Sequence, residues 1–318
     1  MEFFKRKTHV DFLGIRRWTA LFSCLLVALS LLSMMTRGIN WGLDFTGGYQ
    51  IQAHYLEVKP NLNAIRTGLN QVGVPHAEVV TFGNPQDVMI RMAPKAFMST
   101  QVFSNTHSSA QEALKALVAK SLGPDAQIVS VSYTGPQVGA SLAQKGLLAM
   151  LVAVLATMLY IALRFEMRFA LSAAVALAHD PIVIMGIFSF FQISFNLTAL
   201  AAVLAIIGYS LNDTVVIYDR IRENFRKMRK STVIEVVNRA VNDTLSRTIM
   251  TSGLTLVVVV VLYLFGGPSI HHFALALIIG VVVGTYSSIY VAGALAVKLG
   301  LNRQAFVIPT KAEDDATP

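Results

Sequence analysis

Charge is what this sequence has least of. Only 14% of its 318 residues are Asp, Glu, Lys or Arg, against about 25% in a soluble domain, which excludes an ordinary water-soluble globule. The single cysteine, Cys24, rules out an internal disulfide, and with it the bridged scaffolds of small secreted proteins. No P-loop, nucleophile triad or metal-ligand spacing is present. A hydrolase, a nucleotide-driven motor, a metal centre and a bound cofactor are therefore not expected. What is abundant is apolar: 54% of residues are hydrophobic and the mean hydropathy is +0.57. That composition excludes a disordered chain and places this one in a membrane.

Crossing about 30 Å of hydrocarbon takes roughly 20 mostly apolar helical residues. Six runs qualify, near 18–36, 146–163, 169–191, 197–218, 248–265 and 273–297. The first follows the basic Lys5, Arg6, Lys7, Arg16 and Arg17. It is expected to be an uncleaved anchor, because it ends in Met34-Met35-Thr36-Arg37 without a small-residue cleavage pattern. Basic residues recur on alternate connections: the N-terminus, Arg164 and Arg168, the run Arg220 to Lys230, and Lys298 with Arg303. The opposite connections, 192–196 and 266–272, have no Lys or Arg. Both termini should therefore be cytoplasmic, and the net charge of +8 is mostly an orientation signal. Nucleic acid is not an expected partner, since the run from Arg220 to Lys230 follows directly on a span and has Phe225 as its one aromatic; membrane lipid is.

The expected organisation is a cytoplasmic N-terminus over 1–17, a first helix over 18–36, an extracytoplasmic head over 37–140, a five-helix region over 141–300 and a disordered cytoplasmic tail over 301–318. The five-helix region should contain a cytoplasmic loop over 219–246. Val233, Val237, Val241 and Leu245 give that loop an apolar edge suited to an interfacial helix or docking surface. In the head, periodicity predicts a strand over 49–56, a helix over 62–72, strands over 77–82 and 87–92 joined at Gly83-Asn84-Pro85, a helix over 109–122 and a strand over 128–133. The order βαββαβ predicts a ferredoxin-like α+β domain with two helices on one face. Lacking catalytic or metal spacing, it reads as a binding or docking module.

A charge in mid-span costs about 2.5–3.5 kcal/mol, so an intramembrane acid needs a use or a partner. Asp213 shares a helix face with Ser210, Thr214 and Ile217. Either it takes up and releases protons, or it joins Asn212 and Thr214 in tying helices together. Asp180 lies mid-span in His179-Asp180-Pro181. It either shares a proton with His179 or satisfies a kink at Pro181. Arg247 opens the fifth span ahead of Thr248, Thr251, Ser252 and Thr255. By position it is an interfacial anchor; the hydroxyl stripe suggests a second role, pairing with a carboxylate such as Asp213. Gly280, Gly284, Ser288, Ala292 and Ala296 form a small-residue stripe for close packing. His271 and His272, adjacent in a loop, make a poor chelate.

Five strings together resemble the SecD/SecF family of protein-export membrane subunits. They are Trp41-Gly42-Leu43-Asp44-Phe45-Thr46-Gly47-Gly48, Gly135-Pro136-Gln137-Val138-Gly139, Ala176-Leu177-Ala178-His179-Asp180, the run Ile207 to Glu223, and Arg247-Thr248-Ile249-Met250-Thr251-Ser252. The resemblance implies a six-helix half of a resistance-nodulation-division type bundle, completed by a homologous half in SecD. It further implies association with the SecYEG channel and YajC, and use of the proton-motive force to complete preprotein translocation after the SecA motor. In that family the aspartate and arginine at positions 213 and 247 are implicated in proton coupling. Asp44, with Gly47 and Gly48, would be a structural joint. The alternatives are a proton-driven exporter of small molecules or lipids from the same superfamily, and a purely structural assembly subunit.

Overall fold

A computed structural model describes residues 8–56, 59–74, 77–82, 84–92 and 107–301. Lys5, Arg6, Lys7, Gly83 of the expected turn, Arg303 and the rest of the tail lie outside these residues. Among them are six helices long and apolar enough to cross a membrane: α1 (Arg16–Arg37), α5 (Pro136–Arg164), α6 (Met167–Phe190), α7 (Leu197–Lys227), α8 (Val233–Phe265) and a sixth in three pieces. The sixth consists of α9 (Pro268–Ser287), a π-helical turn over Ser288–Ala292 and α10 (Gly293–Lys298). Between α1 and α5 stand a short α2 (Leu43–Thr46) and the elements β1 (Gly48–Tyr55), α3 (Leu62–Gln71), β2 (Glu78–Phe82), β3 (Asn84–Met92), α4 (His107–Leu122) and β4 (Ala126–Thr134).

In the head the four strands form one sheet in the order β2-β3-β1-β4, every neighbour antiparallel. Alternate residues of β1 point inward because successive side chains of a strand lie on opposite faces. Ile51 and Ala53 are buried there with Ile65 and Leu69 of α3 and Leu114 and Val118 of α4. Tyr55, buried under α4, donates its hydroxyl to the Leu122 carbonyl at 2.8 Å, and burial raises its pKa.

The bundle is held by small residues at helix crossings. On α1 the buried residues are Ser23, Ser30 and Ser33, while its large apolar side chains face outward. Ser30 abuts Gly186 of α6 so closely that a Cβ on that glycine would lie 2.2 Å from the Ser30 Cβ. Ser33 and Ser189 share a hydrogen bond of 3.0 Å. Gly280 meets Ile206 and Gly284 meets Ser210 in the same manner, as expected where dispersion and close approach replace the hydrophobic effect.

The connection expected over 219–246 is not a loop. α7 continues to Lys227 and α8 begins at Val233. Thr232 and Glu235 close a capping box at that helix start, and Ile221, Phe225, Val236, Val237, Ala240 and Val241 bury a shared apolar face. At about 1.5 Å per residue α8 is roughly 50 Å long, so it outruns the hydrocarbon layer and carries its first turns beyond it. Much of the basic run is neutralised there: Arg220 pairs with Glu223 and Asp243, and Lys227 with Glu223. The N-terminal segment docks on α8, with Val10 exchanging two hydrogen bonds with the Asn242 amide (2.9 and 2.7 Å).

Candidate functional site

Among the described residues two carboxylates are buried in the bundle, Asp180 with partners on α7 and α9 and Asp213 with a partner on α8. Asp180 of α6 is 1% exposed. Its Oδ2 accepts from Ser210 of α7 at 2.7 Å and from Ser287 of α9 at 3.0 Å. Its Oδ1 lies 3.0 Å from Nδ1 of His179. Its hydroxyl partners are thus on other helices, which favours a tie between helices over a local repair of the Pro181 turn. Nε2 of His179 is buried with no hydrogen-bond partner among the described residues. Next to this hub, Thr214 donates to Ser288 (2.9 Å) or to the Ser210 carbonyl (3.1 Å). Ser287 and Ser288 sit where α9 gives way to the π turn, a break that rotates neighbouring hydroxyls toward α6 and α7 together.

Asp213 of α7 is 5% exposed and has sparser company. Ser252 of α8 donates to its Oδ2 at a long 3.4 Å. Ser252 in turn accepts from Thr285 of α9 (2.9 Å) and Tyr209 of α7 (3.3 Å). Arg247 is exposed on α8, and no ion pair within 4.0 Å joins it to Asp213 among the described residues. Direct Asp213–Arg247 pairing, open from the sequence, is absent from this conformation because Arg247 turns outward at the helix surface. Asn212 is exposed on the far side of α7 and takes no part in the cluster. Thr251 bonds back to the carbonyls of Arg247 and Thr248 in its own helix.

The Trp41–Gly48 string does more than join α1 to the head. Oδ2 of Asp44 accepts the backbone N–H of Leu197, the first residue of α7, at 2.9 Å. The Asn196 side chain caps the same helix through the Ala199 N–H. Gly42 N–H donates to the Phe195 carbonyl and Phe195 N–H to the Asn40 carbonyl, both at 2.8 Å, and Trp41, Phe45 and Phe195 pack ring against ring. The head is therefore tied to the start of the helix that carries Asp213. Gly47 (φ 73°) and Gly48 (φ 144°) take backbone conformations that other residues rarely adopt. Gly139 lets α5 approach the Phe45 carbonyl, which would lie 2.5 Å from a Cβ there.

Replacing Asp44 with Ala removes a helix N-terminal acceptor and should cost about 1 kcal/mol, with Asp44→Asn retaining most of the stability. Thermal unfolding of the detergent-solubilised protein should show the alanine variant melting a few degrees lower and the asparagine variant close to wild type.

Sequence reasoning missed Ser287, which donates to Asp180, and Thr285 and Tyr209, which donate to the Ser252 hydroxyl that in turn holds Asp213. The signal was present in the polar run Thr285-Tyr286-Ser287-Ser288 interrupting an otherwise apolar span. His271 and His272 separate: the first packs its ring, tilted, against Tyr263 and the second meets the Asn196 amide at 3.2 Å.

Fold and site define a multi-pass helical membrane protein whose spans bury two carboxylates among hydroxyls, with a compact α+β unit fastened to the bundle. Two family descriptions match: protein export membrane protein SecD/SecF, C-terminal, over residues 114–302, and the SecD/SecF GG motif over residues 32–55. The chain belongs to the SecD/SecF family of bacterial membrane proteins. It is 43% identical over 307 residues to the protein translocase subunit SecF of Vibrio alginolyticus, covering 96% of this chain and 95% of the relative. It is also 43% identical over 305 residues to that of Pseudomonas aeruginosa, covering 96% of each. Among solved structures it is similar to SecDF, a translocon-associated membrane protein from Thermus thermophilus, at a TM-score of 0.77 and 34% identity, with 92% of this chain covered. The match spans only 39% of that longer chain.

Proposed function

We propose that this chain is a subunit of the Sec protein-export machinery that, with a SecD partner, uses the proton-motive force to promote completion of preprotein translocation. The observation that carries the reading is Asp213: a nearly inaccessible carboxylate in a spanning helix, held by one long hydrogen bond and left without an ion pair among the described residues. Such a group gains or loses a proton with little rearrangement of its partners, unlike Asp180 with its three close contacts. Each proton crossing 100 mV releases about 2.3 kcal/mol, enough to shift the balance between two arrangements of α7 against α8 and α9. The Asp44 contact gives such a shift a direct route to the head.

The other parts of the reading follow from the family and from charge. SecD would supply the second half of the bundle, as the length of the SecDF relative suggests; SecYEG, the preprotein and YajC would be the remaining partners. The distribution of Lys and Arg supports cytoplasmic termini and a periplasmic head. The strand order β2-β3-β1-β4 with two helices supports a ferredoxin-like docking module. In cells depleted of their own subunit, this chain should restore export of a secreted reporter, and dissipating the proton gradient should cancel the rescue. Restored efflux of a dye without restored export would instead indicate a small-molecule exporter.

A further inference from the structure

A cleft of about 440 Å³ opens between α1, α6 and the last span. Arg16, Arg17 and Lys298 line it together with the apolar Val175, Val291 and Leu295. None of the three cations is engaged by an acid among the described residues. Arg16 makes one long contact, 3.5 Å, to the Leu13 carbonyl; of the nearby acids, Asp11 accepts from Gly14 N–H and from Asn238, and Glu166 is paired with Arg168 at 3.5 Å. No acidic residue lines the cleft. It runs along α1 from Arg16 to Cys24, about 12 Å at 1.5 Å per residue. That distance passes from a headgroup layer of roughly 5–8 Å into the hydrocarbon. A second cleft, of about 340 Å³, lies between α1 and α6 at the other end of the helices. Its one cation, Arg37, donates to the Phe190 carbonyl at 2.8 Å and lies over that residue's ring, so the cleft offers a single, already positioned charge rather than a cluster of three.

We propose that the cleft bounded by Arg16, Arg17 and Lys298 is a binding site for an anionic phospholipid, the three cations taking the phosphate and the apolar walls the upper acyl chain. A basic pocket between spanning helices has the chemistry that selects such headgroups. A water-soluble phosphate would satisfy the cations but leave Val175, Val291 and Leu295 uncovered. The lipid would clasp α1 to the end of the last span, next to Tyr286, whose hydroxyl shares a hydrogen bond with Ser23 at 3.0 Å.

Native mass spectrometry of the purified full chain tests this, with phosphatidylglycerol or cardiolipin titrated against phosphatidylcholine. The anionic lipids should be retained preferentially. A triple variant, Arg16→Gln, Arg17→Gln and Lys298→Gln, should lose about a hundredfold in apparent affinity, at about fivefold for each cation. Val175→Trp should weaken retention with all charges intact. Removing Arg226, Lys227 and Lys230 instead should leave retention unchanged; an equal loss there would reduce the effect to surface charge and overturn the proposal. Competition by glycerol phosphate as effective as that of the lipid would make this a free-phosphate site and also overturn it. So would a triple variant that keeps its lipid but no longer co-purifies with SecD, which would place a polypeptide in the cleft.

Discussion

Asp213→Asn should reduce export to the rate of the wild-type protein with its proton gradient dissipated. The substitution keeps shape and volume, and the amide oxygen still accepts from Ser252, so accumulation in the membrane and co-purification with SecD should stay at wild-type levels. What is lost is the ability to exist in two charge states. One charge moving through 100 mV supplies about 2.3 kcal/mol, so the gradient-dependent stimulation at stake is up to roughly 50-fold for each coupled proton. Reporter export in inverted vesicles, measured with and without a protonophore, separates the two roles of the residue. If Asp213 is a structural tie, the asparagine variant exports normally and still responds to the gradient, and the coupling proposal fails.

Gly48→Val should prevent the head from docking on the bundle. At φ 144° the glycine occupies a region that side-chain-bearing residues enter at a cost of about 1–3 kcal/mol. A Cβ there would also lie 2.3 Å from the Met92 carbonyl oxygen and 2.7 Å from the Leu43 side chain. Relieving either contact pulls β1 away from β3 at Tyr49–Met92, the pairing that starts the sheet. The expected loss is several kcal/mol, a large share of the 5–15 kcal/mol that stabilises a typical domain. The variant should accumulate poorly and be cut readily between α1 and β1 by added protease. Gly73→Ala is the control: its φ is 85° but nothing lies within 4 Å of the added Cβ. The backbone penalty alone should then cost about 1 kcal/mol or somewhat more. Equal accumulation of Gly48→Val and wild type would show that the joint tolerates a side chain.

Local pattern carried a good deal of this architecture. Twenty apolar residues in a row require a helix in lipid because no water is present to satisfy the backbone, so six runs became six long helices. The same logic made Asp180 and Asp213 visible as exceptions to an almost uncharged background. It was incomplete at 219–246, where the apolar edge of Val233, Val237, Val241 and Leu245 suggested a helix within a loop but not that α7 and α8 would leave only a short turn between them. The missing information was that Ile221 and Phe225 of one helix face Val236 and Val237 of the next across a five-residue turn. Charge density says which side of a membrane a segment occupies; it says little about whether that segment is helical.

By itself, then, the sequence determined the class of protein, the number of spans, the scarcity of charge within them and the order of strands and helices in the head, since each depends on residues a few positions apart. The tertiary structure alone decided who meets whom. Asp44 accepts from Leu197, 153 positions away; Asp180 finds Ser210 and Ser287 on two other helices; Asp213 is left with one long bond and an arginine that points elsewhere. Those partners depend on how glycines and serines let helices approach and on where a π turn re-aims two hydroxyls. Hydrophobic periodicity records which face of a helix is buried, but not which neighbour buries it.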